Sequence, residues 1–415
     1  MKVFLFSSDV KGFTYLKSTF KELRSKNHEA FFLYGTTNHV ISHPPSNLDK
    51  FSFDSTSEID FSKGVFIESI GLNLPYIPDY LILTRDRWMP EQYIIHEFKQ
   101  KYPQTKICYV ELNTNICQAI ELKMELISRT KLPQNQIDII FDHSSFCQNN
   151  KKTSLKWDGW DRGVVVGNPC WDSYNLNHTD VNRCIEKYNI DTSKTQLLFF
   201  GTVNGFRYKV FEYLKLLTQK LDRSLYQIYF KPYPGEPNHP LFAKDYTPDF
   251  FIKGLDGIIH DQEDLLPMSN ICDYHIINAL SSVSYGGILF NKQLVTIDNF
   301  LDTNELYNDL EAYLKDDNVG AENYNSSFWM RVHNLSTQQD FIDLIGLDNL
   351  EKFISSNNEW KSITQQHCHM FDLDLNFLNN PHKDPSNLKA YFDEFGDGEA
   401  STRIVKYLEN TLPPQ

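Results

Sequence analysis

No stretch of the 415-residue chain approaches twenty consecutive apolar residues, so no spanning helix is expected. Cysteine is sparse. Its seven copies, at 108, 117, 147, 170, 184, 272 and 368, are odd in number and never spaced as C-x-x-C. That argues against a disulfide framework and fits a reduced, cytoplasmic setting. Basic side chains are outnumbered, 40 against 54, for a net charge of −14. Broad binding to nucleic acid needs phosphate-neutralising cations and is not expected, although a local basic pocket is allowed. Neither G-x-x-x-x-G-K-[ST] nor G-x-G-x-x-G occurs, so a P-loop kinase and a dinucleotide dehydrogenase are unsupported. The opening MKVFLFSSDVKGFTYLK has an apolar run broken by Ser7, Ser8 and Asp9. It reads as a first strand leaving a core and not as a secretory leader. There is no internal repeat and no low-complexity tract.

Material for packed cores is ample, with 41% hydrophobic and 14% aromatic residues. The length exceeds what one ordinary core holds, which predicts two domains. Short apolar runs at 2–8, 30–35, 79–86, 106–112 and 137–144 alternate with amphipathic stretches such as 12–26 and 90–102. That alternation predicts a mostly parallel sheet covered by helices. A strand at 163–169 ends in a Gly-Asn-Pro turn, and the pattern restarts at 196–205. A helix at 207–221, strands at 226–231 and 273–280, a helix from Ser282 and a strand at 293–298 follow. The expected organisation is an acceptor-side α/β domain over 1–170, a connection over 171–195, a nucleotide-sugar-binding α/β domain over 196–302, and a mainly helical region over 303–415. The fold class is α/β, two tandem doubly wound domains facing a cleft. In such sheets ligands bind beyond the carboxyl ends of the strands, so the cleft is the expected site.

Three stretches of the second domain could carry chemistry. FKPYPGEPNHPLF (230–242) breaks a buried strand abruptly at its carboxyl end. Pro232 and Pro234 fix an extended turn and Gly235 permits close approach. Lys231, Tyr233 and His239 suit an anion such as a diphosphate, and Glu236 suits ribose hydroxyls. A plain proline-rich connection is the alternative. In NALSSVSYGGILFNKQLVTID (278–298), Ser281 and Ser282 fall between a strand and a helix, where free N–H groups and hydroxyls can hold phosphate or simply cap the helix. FFGTVNGFR (199–207) opens the domain, with Gly201 at the turn and Asn204 or Arg207 within reach of a phosphate. A plain β/α turn is the alternative there.

The succession GNPCWD, FFGTVNG, KPYPGEPNHP and SSVSYGGILFNKQLVTID, over residues 163–300, resembles the GT-B-fold glycosyltransferases of bacterial surface polysaccharides. The resemblance is to the His-Pro/Ser-Ser type: sialyltransferases, Kdo transferases of capsule and lipopolysaccharide assembly, and the polyol-phosphate transferases of teichoic acid synthesis. It implies that the histidine of Lys/Arg-Pro-His-Pro meets the donor phosphate. Here Tyr233 stands at that position and His239-Pro240 follows, so either side chain could take the role. It also implies phosphate binding at Ser281 and Ser282. Asn291-Lys292-Gln293 replaces the Gly-Lys-Pro-type element.

A transferase needs a base that takes a proton from the acceptor hydroxyl. Asp9, Glu111 and the Asp142–His143 pair lie near strand carboxyl ends, with Asp142 able to orient His143. Asp86 more naturally pairs with Arg85 or Arg87, and Glu91 offsets a helix dipole. His367, Cys368, His369, Asp372 and Asp374 are metal-ligand types, but their spacing matches no standard site and they read as surface or packing residues. No metal or cofactor is required. The expected activity is transfer of a sugar from a nucleotide-activated donor, CMP-sugars favoured, to a glycan or glycolipid at the cell surface. Alternatives are a CDP-polyol phosphotransferase, a nucleotide-sugar epimerase, or a non-catalytic glycan-binding protein. The chain is expected in the cytoplasm. A lipid-linked acceptor would bring it to the inner face of the membrane, but no basic amphipathic helix argues for that contact.

Overall fold

The computed structural model describes residues 1–7, 10–36, 59–60, 77–84, 94–95, 98–111, 137–149, 162–172, 178–201, 207–232, 254–278, 284–297, 362–371 and 375–412. They form two compact units. Unit 1 comprises Met1–Thr114, Glu125–Tyr174 and Ala390–Gln415; unit 2 comprises Asn115–Met124 and Asn175–Lys389.

Unit 1 is built on a seven-stranded sheet in the order β3-β2-β1-β4-β5-β6-β7. Its strands are β1 (Lys2–Ser7), β2 (Glu29–Thr36), β3 (Ile59–Asp60), β4 (Tyr80–Leu83), β5 (Lys106–Val110), β6 (Ile139–Asp142) and β7 (Gly163–Val165). Every pairing is parallel. The central strands are buried along their whole length, as expected of a sheet covered on both faces. Alternation along β1 separates the faces. Val3 and Leu5 join a core with Leu16, Leu23, Ile404 and Leu408, whereas Phe4 and Phe6 join one with Ile94, Ile95 and Phe98.

The first face is covered by α1 (Val10–Ser25) and by a helix from the far end of the chain, Ala400–Thr411. That last helix is held at both ends. Asp172 accepts hydrogen bonds from the Ala400 and Ser401 backbone N–H groups at 2.9 and 2.6 Å. At the other end Lys106 Nζ donates to Thr411 O and Tyr80 Oη to Leu408 O, both at 3.0 Å. These are the orphan donors and acceptors of a helix's two termini. The turn after β7 requires glycine: Gly167 has φ +92°, and a Cβ there would sit 2.7 Å from Asp393 Oδ1.

Unit 2 carries a six-stranded sheet in the order β10-β9-β8-β11-β12-β13. Its strands are β8 (Thr195–Phe200), β9 (Tyr226–Lys231), β10 (Gly257–Ile258), β11 (Tyr274–Asn278), β12 (Gln293–Ile297) and β13 (Cys368–Phe371), again all parallel. Leu197 and Phe199 pack on one face with Leu214 and Leu217 of α3 (Arg207–Lys220). Leu198 and Phe200 pack on the other with Cys184 of α2 (His178–Lys187) and Met268 of α4 (Leu265–Ile271). Helix α2 lies within the stretch read from sequence as a connection, and β13 within the stretch read as mainly helical. A fully enclosed carboxylate, Asp264, ties α2 down. Arg183 Nη2 and Lys187 Nζ approach it at 2.6 Å and Tyr188 Oη donates to it at 2.7 Å. Enclosure pushes the Asp264 pKa up, but the donors from Lys187, Tyr188 and Arg183 outweigh that and hold it below the ordinary carboxylate range.

Helix α5 (Ser284–Leu289) lies close on β11 and β12. The Gly286-Gly287 pair allows this. A Cβ at Gly287 would meet Leu294 Cδ2 at 2.5 Å and His275 Nδ1 at 2.9 Å; one at Gly286 would meet Ser269 Oγ at 2.6 Å. His275 is wholly buried under the pair and its Nε2 lies 3.0 Å from Ser269 O. Desolvation drives its pKa down to about 3, so it is a neutral packing residue at any physiological pH.

Candidate functional site

The two sheets share one design. In each, the first strand (β1, β8) lies between the second and the fourth, so the chain winds outward one way and then the other. The reversal opens a crevice at the carboxyl edge, between β1 and β4 and between β8 and β11, where doubly wound sheets bind ligands.

In unit 2, β8 ends at Phe200 and β9 at Lys231, and these two residues are in register. The Gly201 N–H donates to Lys231 O at 2.8 Å, so both predicted residues share one point on the carboxyl edge. The Lys231 side chain is only 6% exposed. A lysine enclosed at a strand terminus is uncommon and is retained where an anion or dipole compensates it. Pro232 follows, also buried, and the strand stops there because proline cannot donate to the ladder. Arg207 is the first residue of α3, whose amino end follows β8. The predicted residues Asn204, Tyr233, Glu236, His239, Ser281 and Ser282 lie outside the described residues, as does Asp9 of unit 1.

In unit 1 the carboxyl edge carries a row of buried polar residues. Ser7, Thr84, Asp142 and His143 are fully enclosed, and Glu111 is 4% exposed. The Glu111 N–H donates to Phe141 O at 3.0 Å, which sets Glu111 beside Asp142. Tyr109 Oη donates to Glu111 Oε1 at 3.3 Å. The His143 ring stacks on Tyr15 of α1, with centroids 5.5 Å apart and planes inclined by 20°. Glu111, Asp142 and His143 were predicted from sequence and fall on one edge. Ser7 and Thr84 lie on the same edge, and Tyr109 and Tyr15 touch Glu111 and His143; none of the four was read from sequence as a candidate. The signal for Thr84 was legible: it is the first polar residue after the apolar strand YLIL.

Among the described residues, no group of three or more histidine, cysteine, aspartate or glutamate side chains is placed to hold a metal ion. No described helix is long and apolar enough to cross a membrane.

Two parallel doubly wound sheets in tandem, each with the Rossmann-like order, define a GT-B-like fold. Solved structures of that fold cover the whole chain. UDP-GlcNAc 2-epimerase from Neisseria meningitidis, bound to UDP-GlcNAc, matches with a TM-score of 0.57 at 12% identity, over 99% of this chain and 100% of that one. UDP-GlcNAc 2-epimerase from Methanocaldococcus jannaschii matches at 0.54 and 15%, over 98% and 100%. A histidine-to-asparagine variant of the wall teichoic acid polymerase TagF, soaked with CDPG, matches at 0.52 and 12%, over 99% and 88%. At these identities the likeness is one of fold. No family model and no curated protein sequence matches the chain.

Proposed function

We propose that the chain is a glycosyltransferase that moves a sugar from a nucleotide-activated donor to a hydroxyl of a glycan acceptor. The observation that carries this reading is the enclosed Lys231 beside Gly201, at the carboxyl edge of the unit 2 sheet. An ammonium held there is suited to the phosphate of a nucleotide. Backbone N–H groups at the start of α3 and the hydroxyls of Ser281 and Ser282 are the further donors, with Asn204, Arg207, Tyr233 or His239 completing the cradle and Glu236 taking ribose. In the reaction the acceptor oxygen bonds to the anomeric carbon as the bond from that carbon to the phosphate oxygen breaks. The nucleotide leaves with the electron pair, and Lys231 stabilises the charge that develops. A base takes the acceptor proton. The candidates are the Asp142–His143 pair, Glu111 and Asp9. CMP-activated acid sugars come first as donors, following the resemblance of the 230–242 and 278–298 stretches; a CDP-activated polyol, second, has no anomeric carbon and would instead give up its polyol phosphate, the acceptor oxygen bonding to the distal phosphorus as the bond from that phosphorus to CMP breaks.

A second reading, a nucleotide-sugar epimerase, draws on the whole-chain likeness to the Neisseria enzyme solved with UDP-GlcNAc. It predicts turnover of the nucleotide sugar with no acceptor present. Thermal unfolding with CMP, CDP, UDP, GDP and ADP tests the nucleotide site that both readings need. A nucleotide at 100 times its Kd should stabilise the folded chain by about 2.7 kcal/mol. The shift should vanish in Lys231→Ala and in the volume-matched Lys231→Met. No shift with any nucleotide would overturn the proposal. Release of free nucleotide only when a glycan is added would favour transfer over epimerisation.

A further inference from the structure

The loop that carries His143 is held by a segment from the far end of the chain, residues 391–394; both belong to unit 1. Strand β6 ends at Asp142, and His143 and Ser144 lead into a helical turn over 145–149. Ser144 caps that turn. Its Oγ accepts from the Cys147 N–H at 3.2 Å, and its carbonyl from the Gln148 N–H at 3.1 Å. The backbone groups on either side of the cap find their partners in Glu394. The Glu394 N–H donates to His143 O at 3.1 Å, and Glu394 Oε2 accepts from the Ser145 N–H at 2.6 Å. The second bond is charge-assisted and satisfies an orphan donor of the helical start.

Tyr391 adds three contacts to the same loop. Its carbonyl accepts from Ser144 Oγ at 2.8 Å and from Cys147 Sγ at 3.3 Å. Its ring meets Phe146 edge-on, with centroids 4.4 Å apart. The segment is itself firmly seated. Phe392 and Asp393 are 3% and 2% exposed, and Asp393 Oδ1 accepts from the Phe395 and Gly396 N–H groups at 3.1 and 3.0 Å. His143 is thus pinned twice, through its carbonyl by Glu394 and through its ring by Tyr15.

We propose that Glu394 and Tyr391 are positioning residues that fix where the His143 imidazole stands beside Asp142. The proposal rests on the reading of that pair as the base. Both residues act through the loop and not on a substrate. A base must come within about 2.6–3.2 Å of the proton it takes, so a loop displaced by about 1 Å no longer serves.

Two substitutions remove one bond from its two sides. Glu394→Ala deletes the acceptor. Ser145→Pro deletes the donor, at the first position of a helical turn, where proline is tolerated. Glu394 is exposed, so its variant should fold with an unchanged melting temperature. Two readouts need no donor sugar and no glycan. One is the ring Cε1–Hε1 NMR signal of His143 in histidine-labelled protein, assigned by its loss in His143→Phe. The other is alkylation of the buried Cys147 by iodoacetamide, followed by peptide mass spectrometry with Cys108 of the sheet core as reference. Glu394→Ala and Ser145→Pro should each move the His143 signal and speed Cys147 alkylation by about 10-fold, or 1.4 kcal/mol of easier local opening. The double variant should do no more than either alone, because the bond can be lost only once. Glu394→Gln keeps an acceptor oxygen and should restore both readouts. Tyr391→Leu, which loses the ring contact with Phe146, should move both. Lys231→Ala should move neither, so failure of the nucleotide-site reading and failure of this one are distinguishable. An unmoved His143 signal in Glu394→Ala, full additivity of the two single variants, or a Glu394→Gln protein as perturbed as Glu394→Ala would each overturn the inference.

Discussion

Replacing Asp172 with asparagine should remove a pH dependence from unit 1. Asp172 caps the helix Ala400–Thr411, yet burial pushes its pKa up to about 6, against the hydrogen bonds from Ser401 and Ala400 that pull it down. Asp393 nearby raises it further. In the unfolded chain the same group titrates near 4. Between these values the folded state binds more protons than the unfolded one, so stability falls as pH rises. The favourable contribution is complete below about pH 4 and gone above about pH 6. A displacement of roughly two pH units at about 1.4 kcal/mol each comes to about 3 kcal/mol. Asparagine cannot ionise. It keeps one acceptor oxygen for Ala400 but turns an N–H₂ towards the Ser401 N–H, at a cost of about 1 kcal/mol. Urea denaturation of both proteins at pH 4.5 and pH 7.0 gives the comparison. Relative to the parent, Asp172→Asn should be destabilised at the lower pH and be about equal or more stable at the higher. An identical pH dependence in the two proteins would refute the reasoning, because the other titrating groups are common to both.

Unit 2 should show the opposite sign. The depressed pKa of Asp264 contributes stability above the ordinary carboxylate range that is lost as pH falls through the folded value; Asp264→Asn should cost about 2–4 kcal/mol at pH 7 and progressively less in acid, by the same denaturation experiment. Gly287→Ala forces a methyl group against Leu294 and His275 and should cost about 1–3 kcal/mol, read as a lowered melting temperature. Leu408→Ala opens a cavity in the face shared by α1 and the last helix and should cost about 2–5 kcal/mol, with faster hydrogen exchange in β1 and α1.

Much of the fold was legible because a parallel sheet announces itself. The runs VFLF, YLIL and LLFF are apolar throughout, which only strands covered on both faces need be, and their spacing leaves room for helices. The strand break at Lys231-Pro232 was legible for a local reason: proline ends the ladder and lysine is out of place in a core. The reach of residues 400–411 was not. Its amphipathic pattern says that one face is buried but not against which sheet, since Ile404 and Leu408 would suit any apolar surface. β13 was hidden for a similar reason. CHMF is short, and a strand added at the end of a sheet needs little more than four residues and an open edge. Glu111, Asp142 and His143 were visible as polar residues after strands, but their placement in one row depends on the register between β5 and β6, which no local pattern encodes.

The return of the last helix to unit 1 has a consequence for how the protein is made. All seven strands of that sheet, and α1, are synthesised before residue 170, but the face built from Val3, Leu5 and Phe141 lacks part of its cover until Ile404 and Leu408 follow. Residues 175–389, nearly all of unit 2, must be translated in between. At 5–20 residues per second that interval is on the order of 10–40 s, during which a half-covered apolar sheet is open to association with other nascent chains. Unit 2 contains all the strands of its own sheet within one nearly continuous stretch and can close first. The order of folding therefore runs against the order of synthesis, and the half made first is the half finished last.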